Sequence, residues 1–172
     1  MKLIVALLVA SCALACGSSP TGPTGNDVVD VAGVWNFSGT LSNVTGGECV
    51  GTSLQSSVGT TIRGTLSITQ TGANLTATTR SASDGSSCTY AGTAGQNAFA
   101  LSWQACDAGR QIGYPCTNGT RRDFNMVTNS INATQSGNTL SGTQAESFNV
   151  LVAGTSTNVG VLVLNASFTA SR

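Results

Sequence analysis

The stretch ITQTGANLTAT (68–78) decides the fold. Leading into it, Ile62, Gly64, Leu66 and Ile68 alternate with Arg63, Thr65, Ser67 and Thr69, the period of a strand with one buried face. After TQTGAN, Leu75 opens another strand that runs to about Arg80. Strand, Thr-Gln, a glycine-containing tight turn and strand make a hairpin. The arrangement returns as ATQSGNTLSGT (133–143) and, more loosely, as AGTAGQNAFAL (91–101). Whether this is an internal repeat or the common look of Thr/Gly-rich hairpins, it marks three hairpins.

Outward from these hairpins the count reaches eight strands. The first covers about 33–42, with Trp35, Phe37, Gly39 and Leu41 on one face. The second and third are the hairpin just read, and the fourth holds residues 88–92. The fifth puts Phe99, Leu101 and Trp103 on one face, and the last three cover about 122–134, 139–150 and 159–170. Connections two–three, four–five and six–seven are tight, and the other four are long. In an up-and-down meander alternate turns lie at opposite ends, so one end is closed by tight turns and the other carries long loops. Eight such strands close into a barrel wide enough for side chains or one small ligand, and closure removes exposed edges. The expected fold is therefore all-β: an eight-stranded antiparallel up-and-down barrel over residues 33–172.

The chain begins MKLIVALLVASCALAC (1–16). One positive charge, a short apolar run and small residues at its end make a signal peptide; the run is far below the about 20 residues a membrane helix needs. Its end resembles a bacterial lipoprotein signal, in which the first residue kept is a lipidated cysteine. VASC (9–12) and ALAC (13–16) both compete for that pattern, and Ala13-Leu14-Ala15 also reads as an ordinary A-x-A cleavage site. Six cysteines are present, and lipidation of Cys16 removes Cys12 with the signal and leaves an even set: Cys49, Cys88, Cys106 and Cys116. Residues 1–15 are thus read as signal peptide, and 16–32 as lipidated Cys16 plus a Pro/Gly-rich linker in which Val28–Val31 pack locally. Two or three acyl chains anchor stably where one does not. The expected location is the bacterial cell envelope, at the outer membrane, with the chain exported and tethered by lipid.

An exported chain meets an oxidising compartment, so the four cysteines are expected in disulfides. Three pairings are open; Cys49–Cys88 with Cys106–Cys116 is preferred because the second closes a local loop. Zinc would be the competing use, but there is no C-x-x-C spacing, and no metal or cofactor is expected.

Only 8% of residues are charged, with seven Lys/Arg, seven Asp/Glu and no His. The basic face a nucleic-acid binder needs is missing. Once Lys2 leaves with the signal there is no lysine either, which removes most acid–base and nucleophile–base machinery. No catalytic residue is assigned and no enzyme is expected.

Gly33-Val34-Trp35 resembles the G-x-W motif that opens the first strand of lipocalins and avidin-like barrels. That resemblance implies that Trp35 plugs the closed end, with Arg172, at the end of the last strand, packed across it as a cation–π lid. The lipocalin helix before the last strand has no counterpart: LVAGTSTN (151–158) is short and broken by glycine. The resemblance concerns shape and implies no particular ligand.

Strand parity sends Phe37, Phe99, Leu101, Trp103, Glu146 and Phe148 into the lumen. Glu146 is expected roughly 20 Å up its strand, near the open mouth, either as a rim acid wetted by solvent or as a ligand contact. Arg110, Arg121 and Arg122 gather at the same mouth, as a solvated loop or as recognition for an anion. Six N-x-S/T sequons are read as coincidence in an Asn/Ser/Thr-rich chain. The expected function is non-catalytic: binding of a small apolar ligand in the lumen. The alternative is a filled barrel that presents loops to an envelope protein, and a further one is a small outer-membrane barrel, against which the few aromatics for girdles stand. Since the linker enters at the tight-turn end, the mouth should face away from the membrane.

Overall fold

The computed structural model describes residues 28–107, 110–116 and 118–172. The expected signal peptide and both candidate lipid sites, Cys12 and Cys16, lie outside them. The alternating runs fold as antiparallel strands: β1 (Gly33–Gly46), β2 (Thr61–Thr71), β3 (Asn74–Ser81), β4 (Ser87–Ala94), β5 (Ala98–Cys106), β6 (Arg110–Pro115), β7 (Arg121–Ser136), β8 (Thr139–Val152) and β9 (Asn158–Ser171). A short helix, α1 (Glu48–Leu54), lies between β1 and β2. Neighbours follow the order β5-β4-β3-β2-β1-β9-β8-β7, and pairing of β5 with β7 closes the barrel. This is the expected eight-stranded up-and-down architecture, lipocalin-like in form.

β6 is additional to the expected strands. β5 pairs with β7 from Ala98↔Thr134 to Ser102↔Ser130 and then leaves it. β6 rejoins β7 higher up, at Arg110↔Asn125. Both run antiparallel to β7 along the same side, so β6 continues the fifth stave of the barrel after an excursion.

The tight turns carry the physical content of the repeated Thr-Gln. Gly72 (φ 59°) and Gly137 (φ 58°) adopt left-handed backbone that a side chain would strain. In both hairpins the preceding glutamine reaches over the turn: Gln70 Nε2 donates to Gly72 O and Gln135 Nε2 to Gly137 O, each at 2.9 Å.

At this closed end Trp35 is fully buried, and its Nε1 donates to Val31 O at 2.9 Å. The Arg172 guanidinium lies 4.5 Å from the Trp35 ring centroid, and Nη1 donates to Ala32 O. Gly33 (φ 124°) lets the chain enter beneath that arginine, whose Nη1 would lie 3.7 Å from a Cβ there. The end of the segment read as linker is part of this plug. Val31 is fully buried and its N–H bonds Gln70 Oε1, while Val29 N–H bonds Gly95 O at 2.8 Å.

The wall is uneven. β7 has 16 residues and β1, β8 and β9 have 14 each, whereas β3 and β4 have 8 and β5 has 9. The taller side therefore projects an apolar inner face, Phe124, Phe148, Val150 and Leu162, beyond the shorter staves, and α1 lies against it with Val50 fully buried. The expected long loop one–two thus contains a cap helix. Its seven residues are too few for intrinsic helical stability, so packing supplies it. Gly46 and Gly47 (φ 69° and 73°) turn the chain into it, and a Cβ at Gly51 would collide with the Gly46 carbonyl oxygen.

Two apolar clusters result. The lower contains Trp35, Leu66, Leu75, Phe99, Leu101 and Leu140; the upper contains the tall wall and α1.

Both disulfides differ from the preferred pairing. They are Cys49–Cys116 and Cys88–Cys106, not Cys49–Cys88 and Cys106–Cys116. β4 and β5 are neighbours, and their register sets Cys88 directly opposite Cys106 with Cα atoms 4.0 Å apart. α1 carries Cys49 to the segment before β7, where it meets Cys116. With all four bonded, none is available as a thiolate ligand.

Candidate functional site: the waist of the barrel

Between the apolar clusters lies a polar layer. Inward positions of β7 and β8 bring Asn129 opposite Glu146 and Ile131 opposite Gln144. Asn129 is buried, and its Nδ2 donates to Glu146 Oε1 at 2.9 Å. Gln144 Nε2 donates to the same oxygen at 2.9 Å and to Asn129 Oδ1 at 3.1 Å, which closes a triangle. Both bonds to the carboxyl go to Oε1. Burial pushes the Glu146 carboxyl above the ordinary carboxylate range, against the smaller opposing pull of the Gln144 hydrogen bond.

β4 and β5 close the layer. Tyr90 pairs across the strands with Trp103. The Trp103 Nε1–H is buried with no hydrogen-bond partner among the described residues, and the Tyr90 hydroxyl is buried within reach of the Thr79 and Asn129 side chains. Burial pushes the Tyr90 hydroxyl up to about 12, against the opposing pull of hydrogen bonding to Thr79 and Asn129 and with the Glu146 charge adding to it. An unsatisfied buried donor such as the Trp103 N–H costs about 1–3 kcal/mol.

The layer borders a cavity of about 180 Å³. Glu146, Gln144, Asn165 and Thr60 are its polar lining, and Leu41, Ile62, Leu164 and Ala166 its apolar lining. A smaller adjoining gap reaches Thr79, Phe37 and Phe168. Ile62 is 39% exposed, so solvent reaches the cavity beside β2, below α1.

The six residues expected to line the lumen therefore divide. Phe99 and Leu101 are packed in the lower cluster, and Phe148 is packed in the upper one, edge-on to Phe124 at 5.5 Å. Phe37, half buried and edge-on to Phe168 at 6.4 Å, borders the small gap; Trp103 and Glu146 belong to the waist. Glu146 is not a rim acid: β7, β8 and β9 continue above it and α1 covers them. At the mouth, Arg122 Nε and Nη2 both donate to Glu48 Oε2 at 3.1 Å, which ties α1 to β7. Arg121 Nη1 donates to Gly113 O at 2.9 Å. These two arginines hold backbone and cap. Arg110 lies on β6, at its pairing with Asn125.

Sequence reasoning passed over Asn129, Gln144 and Tyr90, and gave Asp123, an acid on a strand, no role. Asp123 is fully buried and ties β6 to the β8–β9 turn, accepting from Gly113 N–H at 2.7 Å and Gly154 N–H at 3.1 Å. The signal available for the others was parity: each is a polar residue at an inward position of an alternating strand.

The buried carboxyl makes stability depend on pH. Glu146 binds its proton more tightly in the folded chain than in the unfolded one. Its contribution is most favourable below the unfolded value and is lost as pH rises through the raised folded value. Glu146→Gln keeps the Oε1 acceptor and removes the charge. It should raise Tm by a few degrees at neutral pH and lose that advantage at about pH 4, where the unfolded carboxyl is protonated too. Thermal melts at both ends of that range test this; a Gln variant less stable at neutral pH contradicts it.

Comparison with protein-family models, curated proteins and solved structures returned no match for this chain.

Proposed function

We propose that the protein is an exported bacterial lipoprotein, anchored through Cys16 at the outer membrane, whose non-catalytic barrel binds one small, largely apolar ligand at its waist. The observation that carries the reading is the cavity of about 180 Å³ lined by Leu41, Ile62, Leu164 and Ala166 together with the polar Glu146, Gln144, Asn165 and Thr60. Its size compares with the roughly 150 Å³ engineered cavity that admits benzene. Few convergent polar groups within an otherwise apolar pocket suit recognition of a small molecule. The two disulfides support an oxidising, exported setting. Outward positions such as Asn36, Ser38 and Thr40 on β1 and Ser167 and Thr169 on β9 are exposed and polar, which favours a water-facing barrel over one facing lipid. Val29 and Val31 are bound to the closed end, so a membrane anchor upstream of them pulls on the base and leaves the capped mouth outward.

A second reading, a module that docks an envelope protein, is favoured by Ile112, 69% exposed on β6 beside the mouth. Native mass spectrometry of the protein released from its own envelope separates the two. The ligand reading expects one non-covalent small molecule per chain. A bare chain, or a chain with a bound protein and no small molecule, overturns it. Peptide mass analysis of the same sample should find acylated Cys16, and an unmodified residue there removes the anchor.

A further inference from the structure

The polar lining of the cavity presents acceptors and has its donors spent elsewhere. Glu146 Oε1 takes two amide bonds, from Asn129 Nδ2 and Gln144 Nε2, while Oε2 accepts none among the described residues. Gln144 Nε2 also donates to Asn129 Oδ1, so both of its hydrogens are used. With two oxygens facing that nitrogen, the orientation of the amide is fixed, and Gln144 Oε1 is left without a donor among the described residues. Both residues point inward, are half buried and line the cavity, and neither free oxygen is sealed from it as an orphaned buried atom. Thr60 Oγ1 donates to Ser57 O at 2.7 Å, so its hydroxyl has only lone pairs left to offer. Asn165 pairs with Ala145, which lies between Gln144 and Glu146 on β8, so strand alternation turns its side chain to the opposite face. The rest of the lining is apolar, and no arginine, lysine or histidine belongs to it.

We propose that the waist takes a small organic cation, a primary ammonium on an apolar frame, with its charge against Glu146 Oε2 and a further N–H on Gln144 Oε1. The proposal rests on the reading of the cavity as a ligand site and specifies its chemistry. An ammonium carries three donors and no acceptor, the complement of a lining that offers acceptors alone. It also brings the counter-charge that Glu146 lacks, and a hydrogen bond between charged groups is roughly twice as strong as a neutral one. An anion would meet Glu146 with nothing to offset the repulsion, and a ligand whose polar atom is a carbonyl oxygen would set acceptor against acceptor. An alcohol can donate but leaves the carboxylate charge unpaired in a largely apolar space, which is costly.

The test uses three molecules of one shape: cyclohexylammonium, cyclohexanol and methylcyclohexane. Each is titrated at neutral pH into the full mature chain in zwitterionic micelles, with the free probe concentration measured by dialysis. The methyl signals of Ile62 and Leu164, which line the cavity, report the site, and the Trp35 indole N–H, bonded to Val31 O in the base, is the internal reference. Cyclohexylammonium should move the methyl signals and not the indole signal. It should bind about tenfold or more tightly than cyclohexanol, as a charge-assisted bond in place of a neutral one implies. Glu146→Gln sets an amide N–H₂ where Oε2 was, because Asn129 and Gln144 hold an oxygen at the Oε1 position. It should abolish the preference for the ammonium, while methylcyclohexane binds as it does to the parent chain and Tm does not fall, so that the loss is not one of folding. Ammonium binding no tighter than that of cyclohexanol, or a preference that survives Glu146→Gln, overturns the cation proposal and leaves an apolar ligand site. If none of the three moves the methyl signals, the lumen reading itself falls.

Discussion

Trp35→Ala should destabilise the protein by about 4–5 kcal/mol, a large share of the 5–15 kcal/mol that holds a domain of this size together. The indole is fully buried at the closed end, and removing it leaves a cavity that the tight turns have no side chains to fill. Three further contacts end with it. Val31 O loses its donor, Arg172 loses the ring 4.5 Å beneath it, and Val31, itself fully buried, loses its cover. Trp35→Phe keeps most of the apolar surface and gives up the N–H bond, and should cost about 1–2 kcal/mol. Arg172→Ala should cost less than about 1 kcal/mol, since the guanidinium is exposed and both its partners stay in place. Urea unfolding followed by the fluorescence of Trp103 measures all three. A Trp35→Ala loss below about 2 kcal/mol would mean that the base closes over the gap and that the plug is not the keystone of this end.

The base was legible because its determinants are local. Gly33-Val34-Trp35 opens a strand with clean alternation, and Arg172 ends one whose parity continues through Phe168 and Ala170. In a meander the first strand's start and the last strand's end must meet at one end, so two distant residues are brought together by counting alone. The hairpins were legible for the same reason: Gln70 and Gln135 act within two residues of the glycines they hold.

The mouth was not legible, because its determinants are tertiary. α1 has no apolar periodicity of its own; Val50 alone of its large residues is fully buried, and the tall wall exists only once β7, β8 and β9 outrun their partners. The disulfide pairing failed because it was judged on loop length, whereas strand register sets it. From Ala94↔Phe99 the β4–β5 hairpin counts down to Tyr90↔Trp103, and an undisturbed ladder would place Cys88 opposite Ala105. A bulge between Thr89 and Tyr90 supplies the missing residue and brings Cys106 into register. The waist was half legible. Parity turned Glu146 inward, but its height was reckoned against a mouth without a cap. Its partners Asn129 and Gln144 looked like ordinary polar strand residues until the register β7–β8 placed them around one carboxyl oxygen.

The two disulfides should differ when removed, and the difference should reveal how the cap is held. Cys49–Cys116 spans 67 residues and Cys88–Cys106 spans 18. On chain entropy alone, replacing both members of a pair by alanine should cost about 4 kcal/mol for the long span and about 3 for the short one. The structural consequences separate further. Cys88 and Cys106 lie on paired strands whose ladder hydrogen bonds persist without the sulfurs, so that variant should unfold earlier but keep its native fold. Cys49 lies on a helix of one or two turns that is also held by the packing of Val50 and Leu54, by Gly47 N–H on Val161 O, and by a partly exposed Glu48–Arg122 pair worth at most about 1 kcal/mol. Without the bond, α1 should lift under native conditions and uncover Phe124, Phe148 and Leu162. Dye binding to exposed apolar surface should rise for Cys49→Ala/Cys116→Ala and stay at background for Cys88→Ala/Cys106→Ala, with amide exchange accelerated in α1 only in the first. Equal losses with no change in dye binding would mean that packing alone seats the cap. A freed cap would also widen access to the waist, so that a probe that reaches Trp103 slowly in the parent chain should reach it faster in the first variant and unchanged in the second.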